Sequence, residues 1–498
     1  DTNVPGQVAA VVVRSLHGAK MNEFQLQFSS NTISDTNPFS FAKQSTLGVS
    51  LPDVFPGNAA GVVPFITVTG MSQVGASQLY SIEYRNVSFT EAFSWQRGNH
   101  ALKFGGLGTF ERKNADAANQ TQGNFGFAAG GGRTAFQNFL LGNADGLCGN
   151  ACTYSEAQTD ITENLRFGRY EMYAQDTWKP RSNVTVDVGL RYSLYPPVAD
   201  ANNVLTSFMP SRYVAANAPK CANAACTLIT LGTGDPLNGI IVAGKTSPYG
   251  DSVYAFDKGN LQPRFGLTWD PKSDGRMVYR GAYGVYYDQA LVGIFEQNAF
   301  TNPPYVNTVS LLNARLSNPA AGTSASTGGV VNLIGNGDNF QTPRTQQWSA
   351  GFQRRLGTRS AIDVSYVGAH GDHLIRPIDI NYPAPADVLR LGSVNLARPY
   401  QGYGSITIRE TTARSNYWGL LSSFKHQAGG GSVTLNYTLS RNRTDATNDR
   451  DSIDIPQNPN DLEAEYADAR TDRRHIFSAS YSYTVPWFKN SPNLLLRG

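Results

Sequence analysis

From Val184 to Tyr192 every second residue is apolar: Val184, Val186, Val188, Leu190 and Tyr192 alternate with Thr185, Asp187, Gly189 and Arg191. Side chains of a β-strand point alternately to its two faces, so this pattern specifies a strand with one apolar and one polar or small face. The same period recurs along the chain. Val433, Leu435, Tyr437 and Leu439 carry it between Ser432 and Ser440, and Phe477, Ala479, Tyr481, Tyr483, Val485 and Trp487 carry it near the end. Shorter runs are Phe24/Leu26/Phe28, Val87/Phe89/Phe93/Trp95, Phe265/Leu267/Trp269, Met277/Tyr279/Tyr283/Val285/Tyr287 and Ile362/Val364/Tyr366. An all-β chain is the expectation.

The strands come in couples joined by tight turns, around Arg97–His100, Pro180–Asn183, Asp270–Gly275, Gly357–Ser360 and Ala428–Gly431. Between the couples lie long stretches rich in Gly, Asn, Pro, Ala and Ser, roughly 32–80, 113–165, 197–258, 289–342, 372–413 and 443–470. Loops of that length are foreign to a compact soluble domain. A soluble sandwich has strands of ~5–6 residues and short loops at both ends. Strands of about 10–13 residues match a tilted span of the hydrocarbon layer instead. The fold expected is an antiparallel transmembrane β-barrel of about fourteen strands, with short periplasmic turns and long extracellular loops. A soluble β-fold is the alternative.

Composition agrees. Charged residues make up 16% of the chain against ~25% in ordinary soluble domains, while aromatics reach 11%. That combination excludes a disordered chain. The net charge of +3 gives no reason to expect a nucleic acid partner. The longest apolar run, Val8 to Val13, is too short for a membrane helix.

In a barrel the apolar row faces lipid, which offers no hydrogen bonds, and the polar row faces the lumen. Asp187, Arg191, Arg264, Arg280 and Asp363 are therefore expected inside. Trp95, Tyr170, Trp178, Tyr195, Trp269, Trp348, Trp418 and Trp487 suit the girdles, where amphipathic rings lie in the headgroup layer.

Several segments resemble a known family. Tyr170-Glu-Met-Tyr-Ala-Gln-Asp-Thr-Trp-Lys-Pro180 and Asn183-Val-Thr-Val-Asp-Val-Gly-Leu-Arg-Tyr192 are similar to a hairpin of TonB-dependent outer-membrane receptors. Asn260–Asp270 followed by Arg280–Tyr287 resembles the next hairpin. Phe93–Gly106, Pro343–Trp348, Val364–Leu374 and Asp472–Phe477 are similar to the Oar-like branch of that family. The resemblance implies an outer-membrane receptor or transporter, with membrane lipid, a TonB complex acting through a plug domain, and an extracellular ligand as partners. It covers most of the chain, but its motifs are strand and turn motifs that identify a scaffold better than a cargo.

The plug and TonB box of that family are not visible here, and about fourteen strands fall short of its twenty-two. The chain therefore reads as an internal part of one barrel domain over 1–498. Asp1 follows no leader, so either a signal peptide has been removed or the chain is an internal piece. The alternatives to active uptake are a surface scaffold, adhesion or protein-export barrel, a passive porin, or an outer-membrane hydrolase.

Cysteines fall in two tight pairs, Cys148/Cys152 and Cys221/Cys226. Small-loop disulfides on the extracellular side, free thiols and a metal site are all open, with disulfides favoured because CxxC knuckles and partner His residues are missing. No cofactor is expected. Gly239-Ile-Ile-Val-Ala-Gly-Lys-Thr246 satisfies a phosphate-loop pattern, but Pro248 and Gly250 follow where the helix should begin, so it reads as loop. His370, Asp372 and His373 read as a rim segment, and Asp445, Asn448, Asp449, Asp451 and Asp454 as a solvated acidic loop lacking the calcium-loop Gly and Glu. No GxSxG or HExxH occurs. The ligand surface is expected in the loops, with Tyr283, Tyr287 and Phe295 near the outer end of one hairpin.

Overall fold

The computed structural model describes residues 2–484, apart from stretches within 36–62 and residues 76–79, 118–120, 159–160, 322–326 and 448–453. Thirteen long strands follow one another as an antiparallel meander: β1 (Gly6–His17), β2 (Lys20–Asp35), β3 (Tyr80–Arg97), β4 (His100–Ala117), β5 (Thr162–Arg181), β6 (Val184–Leu194), β7 (Leu261–Trp269), β8 (Met277–Tyr287), β9 (Arg344–Leu356), β10 (Ser360–Asp379), β11 (Tyr403–Ala428), β12 (Gly431–Thr444) and β13 (His475–Tyr483). Each pairs with the next in sequence. Among the described residues, β1 and β13 each keep one bare edge.

Six short turns lie at one end of the sheet. In four of them the chain reverses within two residues, among them His17-Gly-Ala-Lys20 and Arg97-Gly-Asn-His100. In these two the left-handed backbone falls on Gly18 (φ +58°) and Gly98 (φ +55°), where no Cβ opposes it. At the other end the connections are long. They are shorter than the sequence suggests between β10 and β11: these strands run on to Asp379 and back from Tyr403, leaving 380–402 as the loop instead of 372–413. Gly, His and Arg residues obscure the alternation there, but the ladder continues across two register shifts.

The pairing register sorts the side chains by face. Leu190 stands beside Ala174 of β5, and Ala174 beside Phe104 of β4. Farther along, Val188, Phe265, Tyr283 and Trp348 form one row across β6 to β9. Trp95, Trp178 and Trp269 sit beside the short turns on this apolar face, while Tyr170, Trp348 and Trp418 sit toward the loop end, two girdles with an apolar band between them. Tyr195 lies just past β6, its hydroxyl donating to the Tyr287 carbonyl at 3.3 Å. Val485 and Trp487 lie outside the described residues.

The buried core is not in the sheet. It lies among the long loops and the tops of the strands, as three hydrophobic clusters. The largest joins Leu165 of β5, Ala115 of β4 and Ile375 of β10 to Leu205, Ile241, Tyr254, Ile294, Phe295 and Phe340 from the loops. Three short helices, α1 (Ala135–Leu141), α2 (Gly293–Ala299) and α3 (Pro385–Leu391), belong to these loops. Loop residues 331–336 add a parallel strand to the top of β11, pairing with Tyr403–Arg409 beyond the point where β12 has ended.

Candidate functional site

The polar face of the sheet carries the residues expected in the lumen. Asp187 stands beside Thr177 and Gly266, Arg264 beside Gly189 and Gly284, Arg280 beside Thr268 and Gly351, and Asp363 beside Gln353 and Ser423. The Thr177 hydroxyl donates to Asp187 at 2.5 Å, and Ser365 donates to Asp363 at 3.1 Å. Arg191 pairs with Glu171 at 2.5 Å, its guanidinium 5.2 Å from the Tyr173 ring. Arg264 lies 4.6 Å over Tyr286, and Arg280 donates to Gln353 at 3.3 Å. A groove of about 590 Å³ runs along this face, bordered by Asp187, Arg264, Tyr286, Gln347 and Tyr417. Gly189, Gly266 and Gly284 leave room for the side chains of Gln175, Asp187 and Tyr286, which lie over them.

The same face is covered at its loop end. Lys113 of β4 and Leu165 of β5 are directly paired on it, and both are buried, whereas Arg112 and Arg166 on the opposite face of the same strands are exposed. What buries them is the loop assembly. The Lys113 ammonium forms a buried ion pair with Glu296 of α2 and lies 5.3 Å from the Tyr84 ring. Glu163 sits at the loop end of β5, beyond Tyr170 and above the membrane band. Both of its carboxylate oxygens are buried without a hydrogen-bond partner. Burial, reinforced by the nearby Glu296 and Asp200 charges and opposed by Lys113, pushes its carboxyl up to about 10. The loops therefore fold inward onto the wall and cover the loop end of its polar face.

Two of the expected ligand aromatics are placed otherwise. Phe295 is 2% exposed, stacked on Tyr254 at 4.8 Å and edge-on to Phe340 at 5.5 Å, so it is part of the cap's core and offers no free surface. Burial raises the Tyr254 phenol, whose oxygen accepts from the Val198 amide. Tyr283 lies in the outward row between Phe265 and Trp348, its hydroxyl on Gln346 at 2.9 Å, so it faces away from the groove. Its place in the alternating set Met277/Tyr279/Tyr283 already carried that information. Tyr287 ends β8 at the rim, beside Arg344.

Cys148 and Cys152 are disulfide-bonded beneath Phe125, Phe127 and Tyr154, and Cys221 and Cys226 are disulfide-bonded in the 195–260 loop. In the 239–246 segment, Ile240–Val242 is a short strand paired with Thr206–Phe208, and Lys245 donates to the Tyr305 hydroxyl at 2.9 Å; turn residues follow where a phosphate loop needs a helix. Asp372 is clamped by Arg344 at 2.8 and 2.5 Å, and His370 bonds Asn416 at 2.8 Å. Asp445 pairs with the buried Arg376 at 2.8 Å, and Asp454 accepts from Thr447; Asn448, Asp449 and Asp451 lie outside the described residues. Sequence reasoning missed Lys113, Glu163 and Glu296, which come together from three separate segments.

No curated protein matches the chain. Among solved structures, the outer membrane transporter YddB from Escherichia coli superposes with a TM-score of 0.50 at 12% identity, over 89% of this chain and 43% of that one. The FrpB iron transporter from Neisseria meningitidis (F5-1 variant) gives a TM-score of 0.47 at 11% identity, over 97% and 49%. This chain thus spans less than half the length of either transporter. The model of the outer membrane beta barrel domain matches residues 4–497. With its two aromatic girdles, lipid-facing row and polar wall, the chain belongs to the outer membrane β-barrel domain family and resides in the cell outer membrane.

Proposed function

We propose that this barrel is part of a receptor that captures an extracellular ligand at its loop cap. The ligand then passes inward along the polar wall, driven by a TonB complex acting through a plug domain. The observation that carries this reading is the inward-folded cap: α2 is tied to the wall through Lys113 and Glu296, over a groove lined by Asp187 and Arg264. A mouth covered by a packed core suits gated passage better than a standing pore. The narrower kinship with Oar-like receptors rests on the sequence motifs. A surface scaffold is the second reading, favoured by the two disulfides and three hydrophobic clusters that give the cap a fixed outer shape.

Planar-bilayer conductance and cellular uptake test the proposal on the full-length protein. The expected result is no standing conductance, together with uptake that stops when a protonophore collapses the inner-membrane gradient. A steady conductance without energy input identifies a porin. Sealed barrels with no energy-dependent uptake, but with loss of cell-surface attachment on deletion, identify the scaffold.

A further inference from the structure

On the outward face the register sets Arg85 of β3 opposite Arg112 of β4, and Arg112 opposite Arg166 of β5. Directly paired side chains on one face have Cβ atoms about 4.5–5.5 Å apart, and like charges in that position weaken a sheet. All three arginines are exposed. Glu83 holds Arg85 at 2.7 Å, while among the described residues Arg112 and Arg166 have no ion-pair partner. One step toward the short turns, Phe28, Val87 and Phe110 are paired on the same face. These six side chains border an outward groove of about 340 Å³.

The height of this row identifies its surroundings. Arg166 is twelve residues along β5 from Trp178 of the inner girdle. At ~3.3 Å per residue and a tilt of ~40° this is about 30 Å, the thickness of the hydrocarbon layer. The arginines thus stand among outer-leaflet headgroups, with the apolar part of the groove reaching down to the girdle at the acyl boundary, where Phe110 packs edge-on against Tyr170 at 5.5 Å.

We propose that this groove binds a phosphorylated, acylated lipid of the outer leaflet. Its phosphate oxygens accept from Arg112 and Arg166, with Arg85 alongside, and one acyl chain lies along Phe28, Val87 and Phe110. A guanidinium presents parallel N–H donors that match phosphate oxygens, and two adjacent arginines without a counter-charge, beside a third that Glu83 holds, call for an anion. A free anion would use the arginines but leave the apolar floor uncovered, so the pairing of the two favours a lipid.

Native mass spectrometry of the full-length protein, given bisphosphorylated hexa-acyl lipid A or its dephosphorylated form, tests this. Retention of the phosphorylated lipid by Arg112→Gln/Arg166→Gln should fall at least about tenfold. Arg112→Lys/Arg166→Lys should keep part of it, and Arg276→Gln, in a periplasmic turn, should keep all of it. Undiminished retention by the Gln variant overturns the proposal. If that variant does not fold, the wild-type comparison decides: equal retention of both lipids overturns the site. Displacement of the lipid by millimolar inorganic phosphate alone assigns the row to a free anion and overturns it too.

Discussion

The indole of Trp348 lies against the bare backbone of Gly368, its paired neighbour on β10: a Cβ at that glycine would meet ring atoms of Trp348 at 2.3 and 2.4 Å. The aromatic ring covers the gap that the glycine leaves in the lipid-facing wall. Gly368→Ala should therefore push the ring out of place and cost about 1–3 kcal/mol. Gly281→Ala, whose new Cβ would meet only the Ser349 carbonyl at 3.8 Å, should change stability by less than about 0.5 kcal/mol. Urea unfolding from lipid vesicles reads both, and equal costs would remove the ring contact as the cause.

Depth and face should separate cleanly in the wall. Leu190 stands beside Ala174, midway between Trp178 and Tyr170 on β5, so Leu190→Arg places a charge near mid-membrane and should cost about 2–4 kcal/mol. Gln175→Arg, one residue away on β5 and on the polar face, should cost less than about 1 kcal/mol. Folding free energies in bilayers measure the difference, and equal sensitivity would contradict the assignment of faces.

Thiol labelling followed by intact-mass measurement should find no adduct before reduction and four after it, one per cysteine. Cys148→Ser/Cys152→Ser closes no loop in the unfolded chain and should loosen the cap locally by about 2 kcal/mol. The barrel wall, which shares no residue with that cluster, should unfold as before.

Glu163 makes the cap's stability depend on pH. Its folded carboxyl, at about 10, lies above its ordinary value of 4.5. The contribution is thus fully present below about 4.5 and is lost progressively as pH rises toward 10. Hydrogen exchange of cap amides between pH 5 and 9 should show rising opening in the wild type. Glu163→Gln, which cannot ionise, should flatten that rise; an unchanged slope would assign it to another group.

Legibility differed between wall and cap for a physical reason. Wall strands obey a period-two rule because each meets lipid on one side, so Val184–Tyr192 announced both its conformation and its faces, and the register confirms the row. Turn residues such as Gly98 and Gly357 were equally local signals. The cap has no such solvent boundary. Its contacts join residues far apart, as where Asn143 donates to Asn313, 170 positions away, or Asn58 to Glu156, 98 away. Phe295 therefore looked like a loop aromatic free for a ligand, when its partners Tyr254 and Phe340 bury it. The arginine row was hidden in the same way: Arg85, Arg112 and Arg166 are unremarkable in sequence and become neighbours only through strand pairing.

The 26-residue β11 rises past the end of β12, and its vacant edge takes up residues 331–336 as a parallel strand. This sets an order of assembly. Those loop residues have nothing to pair with until β10 and β11 are in register, and closing a contact between positions 331 and 403 is costly for a free chain. The wall thus acts as the template on which its own lid is built, and a barrel arrested before β11 inserts would stand with its entrance unsealed.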